Sequence, residues 1–459
     1  VGIKMKSNLK IPIILIAIGI LFLYCTQISK NVNIGGVDFQ QSSECNENLK
    51  NSGISGKIHI KNNWTTAKSA GICIGNGTYD DPYIIQDLII DGGDLGSCIL
   101  IENSRIHFKI ANCTLYHSEY VGGPSYSAGI TLSNVTNSQL ISNNCSLNYD
   151  GIRLYNSHYN QIVGNLIANN QLGMNLESCV NNTIWENITN NNTVGINILY
   201  GQNYNISGNT ANNNSRYGIY LRFSNNNIIS GNTANNNTIF GIYLRESNYD
   251  VILGNIANYN NGYGIYLRDC ENDNISGNAA FYNLEQGMLI ENCAFSDILW
   301  NTANFNAYWG IGLSSGNENN FIGNYASNNN IGIYLQFNIN NNITGNTASM
   351  NENHGIYLFF SDSNIISENT ANSNRYGIFL QRSDYNTISG NTLLGNIECI
   401  FEEDCQENKF SDNGACTYNE GNDGGVPIEL IYLILNVGLG MLLVIVTIWL
   451  IISKRKMRA

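Results

Sequence analysis

Apolar and polar residues recur along the chain with a period of 22 or 23 residues. The segment "GIYLRFSNNNIISGNTANNN" at residues 218–237 returns with small changes at residues 241–260 and 264–283. In most copies an Ile lies one residue after a glycine and a Leu lies three residues after it, which predicts a strand with both side chains inside. The glycines that open successive copies are Gly129, Gly151, Gly173, Gly195, Gly218, Gly241, Gly264, Gly287, Gly310, Gly332, Gly355 and Gly377.

Two further apolar columns complete each copy. Ile229 and Ile252 lie eleven residues after their glycines, and Ala234 and Ala257 lie sixteen residues after them. Each copy therefore predicts three short strands separated by three turns. Such strands cannot bury a face alone, but stacked copies can, because each strand pairs with its equivalent in the next coil. With further copies opened by Cys98 and Cys399, we predict an all-β parallel β-helix of about 14 coils of 22–23 residues.

An asparagine lies fourteen residues after the glycine in eleven successive copies. Stacked asparagine amides can hydrogen-bond from coil to coil as a ladder. Asparagine also tolerates the left-handed backbone conformation that sharp turns need, so we expect these residues to adopt it. The central members of the predicted ladder are Asn209, Asn232, Asn255, Asn278, Asn301, Asn324 and Asn346.

Both ends of the chain carry signals for a membrane. The apolar run at residues 11–25 follows Lys4, Lys6 and Lys10, which predicts a signal peptide or an N-terminal anchor. The apolar run at residues 430–452 is long enough to span a bilayer, and its basic flank predicts a cytoplasmic tail. The expected organisation is a signal peptide or anchor at 1–30, an N-terminal region and cap at 31–97, an extracytoplasmic β-helix at 98–416, a linker at 417–429, a transmembrane helix at 430–452 and a tail at 453–459.

Composition narrows the possible partners. A net charge of −13 and a pI of about 4.8 argue against nucleic acid, since phosphate contacts need a basic face. Five histidines and six methionines give little material for a dedicated copper or zinc site. The acidic group between Glu398 and Glu407 could bind calcium, but we expect a solvated cap that discourages end-to-end stacking. We therefore predict no cofactor and no metal.

The coils of the form "GIYLxxSxxNxIxGNTAxxN", with the lead-in "GNGTYDDPYIIQDLIIDG" at residues 75–92, resemble right-handed parallel β-helix proteins. These include the carbohydrate-binding and sugar-hydrolysing β-helix repeats, the NosD-like domain and the pectate-lyase-like superfamily. The resemblance covers residues 75–415 and implies a right-handed β-helix on a cell surface, with a polysaccharide or a surface glycan as partner. If the protein is an enzyme, it implies a polysaccharide lyase or a glycoside hydrolase. The signature motifs of the pectate lyases, polygalacturonases and epimerases do not stand here in context.

The outer face of the first strand is the surface that such relatives use for polysaccharides. Aromatic rings suit the flat faces of sugars, and arginine suits the carboxylates of uronic acids. The alternative is that stacked tyrosines only stabilise the surface of the sheet. The candidate glycan-binding residues are Tyr220, Arg222, Tyr243, Arg245, Tyr266 and Arg268.

A second candidate site lies nearer the N-terminus. The interval between Cys98 and Gly129 exceeds one coil, which predicts a projecting loop near residues 116–127. The loop holds His117 and Glu119, and the neighbouring coils supply candidate catalytic residues. An acid, a base and an arginine together could serve β-elimination or hydrolysis of a uronide chain. The alternatives are scattered solvated polar residues, and a non-catalytic rod that acts as spacer or adhesin. The candidate catalytic residues are Asp150, Arg153, His158 and Glu177.

The cysteines are interpreted as structural. Cys270 and Cys293 fall at the same place in consecutive coils, which gives a Cα separation of about 5 Å, inside the disulfide range of roughly 4.4–6.8 Å. They are therefore a candidate disulfide, although pairing does not follow from sequence alone. Cys399, Cys405 and Cys416 gather at the C-terminal end, and Cys145 falls in the buried alanine column as a candidate free thiol.

Overall fold

The computed structural model describes residues 53–119 and 127–414, and they form an all-β parallel β-helix of about 14 coils. Nothing in these two ranges is a helix long and apolar enough to cross a bilayer. The segment predicted as a signal peptide or anchor, 1–30, lies outside the described residues. The predicted transmembrane helix at 430–452 also lies outside them, so it stays a prediction.

The β-helix is built from two long parallel sheets and one short one. Sheet 1 contains the strands Ile58–Lys61, Ile99–Glu102, Ala128–Ser133, Asp150–Tyr155, Leu172–Glu177, Val194–Leu199, Tyr217–Arg222, Phe240–Arg245, Ile265–Arg268, Met288–Glu291, Trp309–Ser314, Ile331–Gln336, His354–Phe359, Tyr376–Gln381 and Glu398–Glu403. Sheet 2 contains Tyr83–Gln86, Phe108–Ala111, Ser138–Ile141, Gln161–Val163, Thr183–Trp185, Asn205–Ser207, Ile228–Ser230, Val251–Leu253, Asn274–Ser276, Asp297–Leu299, Asn320–Ile322, Asn342–Thr344, Ile365–Ser367, Thr387–Ser389 and Lys409–Ser411. Sheet 3 contains Gly53–Ile54, Leu88–Asp91, Thr114–Tyr116 and Asn144–Cys145.

Sheet 1 has 15 strands, one more than the predicted coils. The extra strand is Ile58–Lys61, which pairs with Ile99–Glu102 and precedes residue 98, where we expected the β-helix to begin. A short helix, Trp64–Ser69, follows this strand. The ring of Trp64 stacks on Tyr83 with centroids 5.1 Å apart. The region expected to be an N-terminal cap therefore continues the sheet and closes its end with an aromatic contact.

The core lies inside the coils, where the sequence predicts it. In the coil that opens at Gly241, Ile242, Leu244, Ile252 and Ala257 are fully buried. Burying a side chain such as Ile or Leu contributes roughly 1.5–3 kcal/mol. The glycine itself is required by a close approach of two backbones, since a Cβ at Gly241 would lie 2.6 Å from the carbonyl oxygen of Gly264.

The third predicted strand of each coil is shorter than expected. From Thr210 to Thr233 and on to Ile256, it consists of single-residue bridges rather than strands. The cause is local, because Gly231 and Asn236 on either side of Thr233 both have a positive φ. Two sharp corners this close leave almost no extended chain between them.

Each coil turns at four corners, and each corner has a residue in the left-handed conformation. In the coil that opens at Gly241 these residues are Glu246, Tyr249, Gly254 and Tyr259, with φ of 52°, 60°, 62° and 57°. Each is followed by a buried polar side chain that points inward: Ser247, Asp250, Asn255 and Asn260. The left-handed residue turns the chain, and the residue after it ties the corner to its neighbours.

The asparagine ladder is present from Asn209 to Asn346. Each Nδ2 donates to Oδ1 of the next asparagine at 2.9–3.0 Å. Each backbone N–H donates to the same oxygen, as from Asn232 to Asn255 at 2.9 Å. The expectation that these asparagines adopt the left-handed conformation is wrong, since the preceding residue does so, for example Gly231 before Asn232. The preceding residue makes the turn, and the asparagine that follows it directs its amide inward to the asparagine of the next coil.

The candidate disulfide is not formed, because Cys270 and Cys293 are both free thiols. Each thiol donates to a carbonyl two residues earlier, at 3.2 Å to Arg268 and 3.2 Å to Glu291. Side chains at equivalent places in stacked coils point in parallel, so their Cβ atoms stay about one coil spacing apart, ~4.8 Å. A disulfide needs Cβ atoms within roughly 3.5–4.5 Å, and Cα spacing alone does not provide that. Cys145 is a buried free thiol, as expected, Cys405 is also free, and Cys399 is disulfide-bonded.

Candidate functional site

The outer face of sheet 1 carries both candidate sites. We define this outer face as the side chains one residue before, two after and four after each glycine. Parallel pairing keeps these positions in register, so Tyr220 pairs with Tyr243 and Arg222 with Arg245. Identical side chains therefore form columns that run along the β-helix.

Three of the four candidate catalytic residues meet on this face. Arg153 donates to Asp150 Oδ2 at 3.0 Å and to Glu177 Oε2 at 3.2 Å. Asn175, on the neighbouring strand, donates to the same Asp150 oxygen at 2.9 Å. The cluster thus contains two carboxyl groups bridged by one guanidinium group.

His158 does not join this cluster. It lies at the corner after the strand, where its Nδ1 accepts a hydrogen bond from the backbone N–H of Val180 at 3.1 Å. Burial lowers its pKa from the ordinary histidine value. The strand ends at Tyr155 and the chain turns at Asn156. His158 follows this turn, so its side chain does not lie on the outer face with the cluster.

The environment of Asp150 differs from that of Glu177. Asp150 is fully buried, and Glu177 keeps about 30% of its side chain exposed. Burial raises the pKa of Asp150, while the hydrogen bond from Asn175 and the charge of Arg153 oppose the shift. The second oxygen of Asp150, Oδ1, is buried and has no hydrogen-bond partner. Glu177 is therefore the carboxyl group that a ligand on the outer face reaches, and Asp150 lies behind it.

The predicted loop falls partly outside the described residues, at 120–126. On its described side His117 Nδ1 lies 3.2 Å from Asp91 Oδ1. His117, Glu119, Tyr149 and Gln171 line a cavity of about 340 Å³ beside the cluster.

The tyrosines of the glycan-binding stripe stack on one another. Tyr243 lies between Tyr220 and Tyr266, with ring centroids 5.0 Å and 4.8 Å away and interplanar angles of 20° and 6°. Tyr243 and Tyr266 are only 6% exposed. Burial is the main cause that raises the pKa of Tyr243 to about 12. The ring faces are covered by neighbouring rings, so a sugar could touch only edges and hydroxyl groups here.

A second aromatic column was missed by the sequence analysis. Tyr217, Phe240 and Tyr263 precede the glycines by one residue, and their rings pack beside the tyrosine stripe, with Phe240 and Tyr266 5.2 Å apart. The signal was present, since the same position holds an aromatic residue in three consecutive copies. Strict alternation from the buried Ile would direct this position inward, so the sequence pattern alone does not reveal it.

The arginine column is paired with acidic residues of the adjoining corners. Arg245 lies 3.0 Å from Glu246, and Arg268 lies 3.4 Å from Asp269 and 3.9 Å from Glu291. These contacts are close enough for ion pairs, yet Nε of Arg222, Arg245 and Arg268 is buried without a directed hydrogen bond. Their side chains stay 34–40% exposed. The column therefore presents a partly exposed cationic side chain at each of three successive coils.

Family models match most of the described chain. A model described as "Right handed beta helix region" matches residues 70–222, which agrees with the handedness expected from the resemblance. A model described as "Periplasmic copper-binding protein (NosD)" matches residues 189–331 and 282–420, which together span just over half of the chain. The chain belongs to the NosD family. No curated protein sequence matches this NosD-family chain significantly.

Solved structures with similar folds have low sequence identity to this NosD-family chain. The mannuronan C-5 epimerase AlgE4 A-module of Azotobacter vinelandii is 13% identical, with a TM-score of 0.46 over 75% of this chain and 97% of that one. The periplasmic alginate epimerase AlgG is 13% identical, with a TM-score of 0.38 over 78% and 84%. The tailspike protein 2 of bacteriophage CBA120 is 12% identical, with a TM-score of 0.32 over 66% and 44%. Similarities this weak do not transfer a substrate.

Copper is the metal named in the family description. Within 53–119 and 127–414, no group of three or more His, Cys, Asp or Glu side chains is arranged to hold a metal ion. Cys270 and Cys293 are buried, and the neighbouring Cys293 thiol together with burial raises the pKa of Cys270 well above the usual thiol value. Since the thiolate is the form that binds metal, the described part of this NosD-family chain does not fit a copper site.

Proposed function

We propose that the protein binds a polysaccharide along the outer face of sheet 1 and holds it without cleaving it. The observation that carries the proposal is the column of Arg222, Arg245 and Arg268, whose cationic side chains repeat once per coil and stay 34–40% exposed. A ligand with repeating acceptors suits a surface whose donors repeat every ~4.8 Å. Charge-assisted hydrogen bonds to carboxylates or sulfates are the strong kind that such a column can offer.

The stacked tyrosines have a supporting role in this proposal. Tyr220, Tyr243 and Tyr266 cover one another's ring faces. We therefore assign them to a packed, partly apolar surface beneath the polymer, and not to stacking with sugars. Exposed carboxylates on Glu177, Glu246 and Glu291 add acceptors for sugar hydroxyl groups. The proposed orientation has the polymer parallel to the axis of the β-helix.

The test is a triple substitution of the column, Arg222→Gln, Arg245→Gln and Arg268→Gln, in the full-length protein. Charge-assisted hydrogen bonds contribute about 1.5–3 kcal/mol each, so loss of even one should weaken retention at least about tenfold. Affinity electrophoresis in gels with acidic and neutral polysaccharides measures the retention. Arg382→Gln is a matched control, since Arg382 is ion-paired at 3.6 Å to Asp404 but lies on a corner. Equal retention of the triple variant and the wild type would contradict the proposal.

A second candidate function is cleavage of the bound chain. It is favoured by the cluster of Asp150, Arg153 and Glu177 and by the buried, unpartnered oxygen of Asp150. In this version Glu177 contacts the substrate, Arg153 binds its carboxylate, and the enzyme is a polysaccharide lyase or glycoside hydrolase. A passive spacer or adhesin is the remaining alternative, and it predicts no retention on any polymer.

The proposal includes a position outside the cytoplasm, anchored by residues 430–452. Recovery of the full-length protein in the membrane fraction, and its absence there when the chain ends at residue 429, would test the anchor. Loss of the anchor with unchanged polysaccharide retention would separate the two parts of the proposal.

A further inference from the structure

Two carboxyl side chains interrupt one of the interior ladders. Asp250 and Asp273 stand at the corner nine residues after Gly241 and Gly264, where later coils carry Asn319 and Asn341. Both aspartates are almost fully buried, with 1% and 2% of their surface exposed. They lie in consecutive coils near the middle of the β-helix, so the interior there contains two stacked acids.

One oxygen of each carboxyl group accepts the hydrogen bonds that an asparagine Oδ1 accepts in other coils of this ladder. Asn227 donates to Asp250 Oδ1 twice, from its backbone N–H at 2.6 Å and from Nδ2 at 3.0 Å. The backbone N–H of Asp250 donates to Asp273 Oδ1 at 2.8 Å. The backbone N–H of Asp273 in turn donates to Ser296 Oγ at 3.1 Å. The ladder of acceptors is therefore continuous through both aspartates.

The other oxygen of each carboxyl group has no partner. In later coils the corresponding atom is an amide nitrogen that donates to the preceding coil, as from Asn319 to the Cys293 carbonyl and from Asn341 to the Gly316 carbonyl, both at 3.0 Å. The Oδ2 atoms of Asp250 and Asp273 are buried without a hydrogen bond. A charged carboxylate only accepts hydrogen bonds, whereas a protonated one can donate, as the amide does.

Within the described part of the chain, no cationic side chain is paired with Asp250 or Asp273. The titratable groups that act on Asp273 are Asp250 and the Cys270 thiol, and Cys270 lies beside the Cys293 thiol. Burial raises the pKa of Asp250 to about 7, against the two hydrogen bonds from Asn227. Burial, Cys270 and Asp250 raise the pKa of Asp273 well above its usual range.

We propose that Asp250 and Asp273 form a proton-dependent joint in the middle of the β-helix. With both side chains protonated, each replaces an asparagine and the ladder is complete. When a proton is lost, a buried oxygen with a negative charge and no donor opens the ladder at these two coils.

The direction of the pH dependence follows from the raised pKa values. The folded state keeps protons that the unfolded state has released, so this contribution to stability is complete below the usual carboxyl pKa. It is lost as the pH rises toward about 7 for Asp250 and beyond for Asp273. The joint therefore stabilises the β-helix in acid and weakens it in alkali, the reverse of an ion-paired carboxylate.

The test compares the full-length wild type with Asp250→Asn/Asp273→Asn. Thermal unfolding between about pH 5 and 8 should show a wild-type Tm that falls as the pH rises, relative to a flatter profile for the double variant. The variant should have the higher Tm at the alkaline end, and the gap should close toward acid. Hydrogen–deuterium exchange should locate the difference, with faster exchange of the wild type in residues 241–283 at high pH.

A reciprocal variant gives a matched control. Asn341→Asp/Asn364→Asp places two acids at the same corner in a region where the ladder is all asparagine. It should acquire the same loss of Tm at alkaline pH and, if it folds only in acid, that result also supports the proposal. Parallel pH profiles for the wild type and Asp250→Asn/Asp273→Asn, with equal exchange in residues 241–283, would overturn it.

Discussion

Pairs of adjacent residues at the corners, rather than single residues, define each coil. A left-handed residue turns the chain, and the next side chain points inward and joins a ladder, as Gly254 and Asn255 show. Several left-handed positions hold residues other than glycine, such as Tyr249 and Tyr259, although this conformation costs roughly 1–2 kcal/mol for such residues. The ladder hydrogen bonds and the packed core must offset that cost.

Substitution of one ladder asparagine tests this view. In Asn255→Ala the backbone N–H of Asn232 loses its acceptor and the carbonyl of Ile229 loses its donor. Each buried group left without a partner costs about 1–3 kcal/mol. We expect the free energy of unfolding, measured by urea denaturation, to drop by several times the effect of the control.

The control is Asn205→Ala, at an exposed position of sheet 2. A surface change of this kind should stay within about 0.5 kcal/mol. Equal effects of the two substitutions would show that the ladder does not contribute to stability.

At this scale the sequence predicts the buried columns and the ladder, because both repeat with the coil. It does not predict which residue takes the left-handed conformation, since Asn232 and Gly231 are both compatible with it. The burial of Asp150 also escapes the sequence, because its position in other coils holds residues as different as Leu172 and Tyr217. Periodicity specifies a direction for each side chain only where the column is uniform.

Among the elements, sheet 1 has an outer surface built of aromatic columns. Its aromatic columns, Tyr217, Phe240 and Tyr263 beside Tyr220, Tyr243 and Tyr266, pack as a second apolar layer outside the core. Aromatic pairs of this geometry contribute about 0.5–1.5 kcal/mol each beyond the area they bury. The columns therefore stabilise the central coils.

This packing predicts that removal of a single ring strongly lowers the free energy of unfolding. Tyr243→Ala removes a ring that contacts Tyr220, Tyr266, Tyr217 and Phe240. By comparison with other large aromatic truncations we expect a loss of about 3–5 kcal/mol in urea denaturation. Tyr249→Ala, at a corner position that is 58% exposed, is the control and should change stability little. If Tyr243→Ala is as mild as the control, the aromatic columns are not part of the packing.

Strands of sheets 1 and 2 were predictable because their alternation is regular. The column before the glycine was not, since Gly218 and its equivalents have no partner in the register, which passes from Tyr217 to Ile219. This break in the alternation turns Tyr217 outward, beside Tyr220. The length of the third strand was overestimated because two corners lie close together and leave too few residues between them for a strand.

In the whole molecule, parallel stacking converts each repeated residue into a column along the β-helix. Two columns are the basis of the proposals made above: the arginines of the outer face and the interrupted ladder at Asp250 and Asp273. The first is the proposed polysaccharide surface, and the last couples the same central coils to pH. The sequence predicts the repeating columns, whereas the interruption is visible only when burial and hydrogen bonds are known.

The most direct measurement of the central proposal is incubation of the full-length protein with a panel of acidic and neutral polysaccharides, followed by size-exclusion chromatography. We predict that at least one polymer co-elutes with the protein and keeps its chain length, because the outer face offers repeated donors while Asp150 is buried behind Glu177. If the wild type shortens a polymer and the Asp150→Asn variant leaves it intact, that result would contradict non-catalytic binding and favour the second candidate. Absence of co-elution across the whole panel would contradict polysaccharide binding itself.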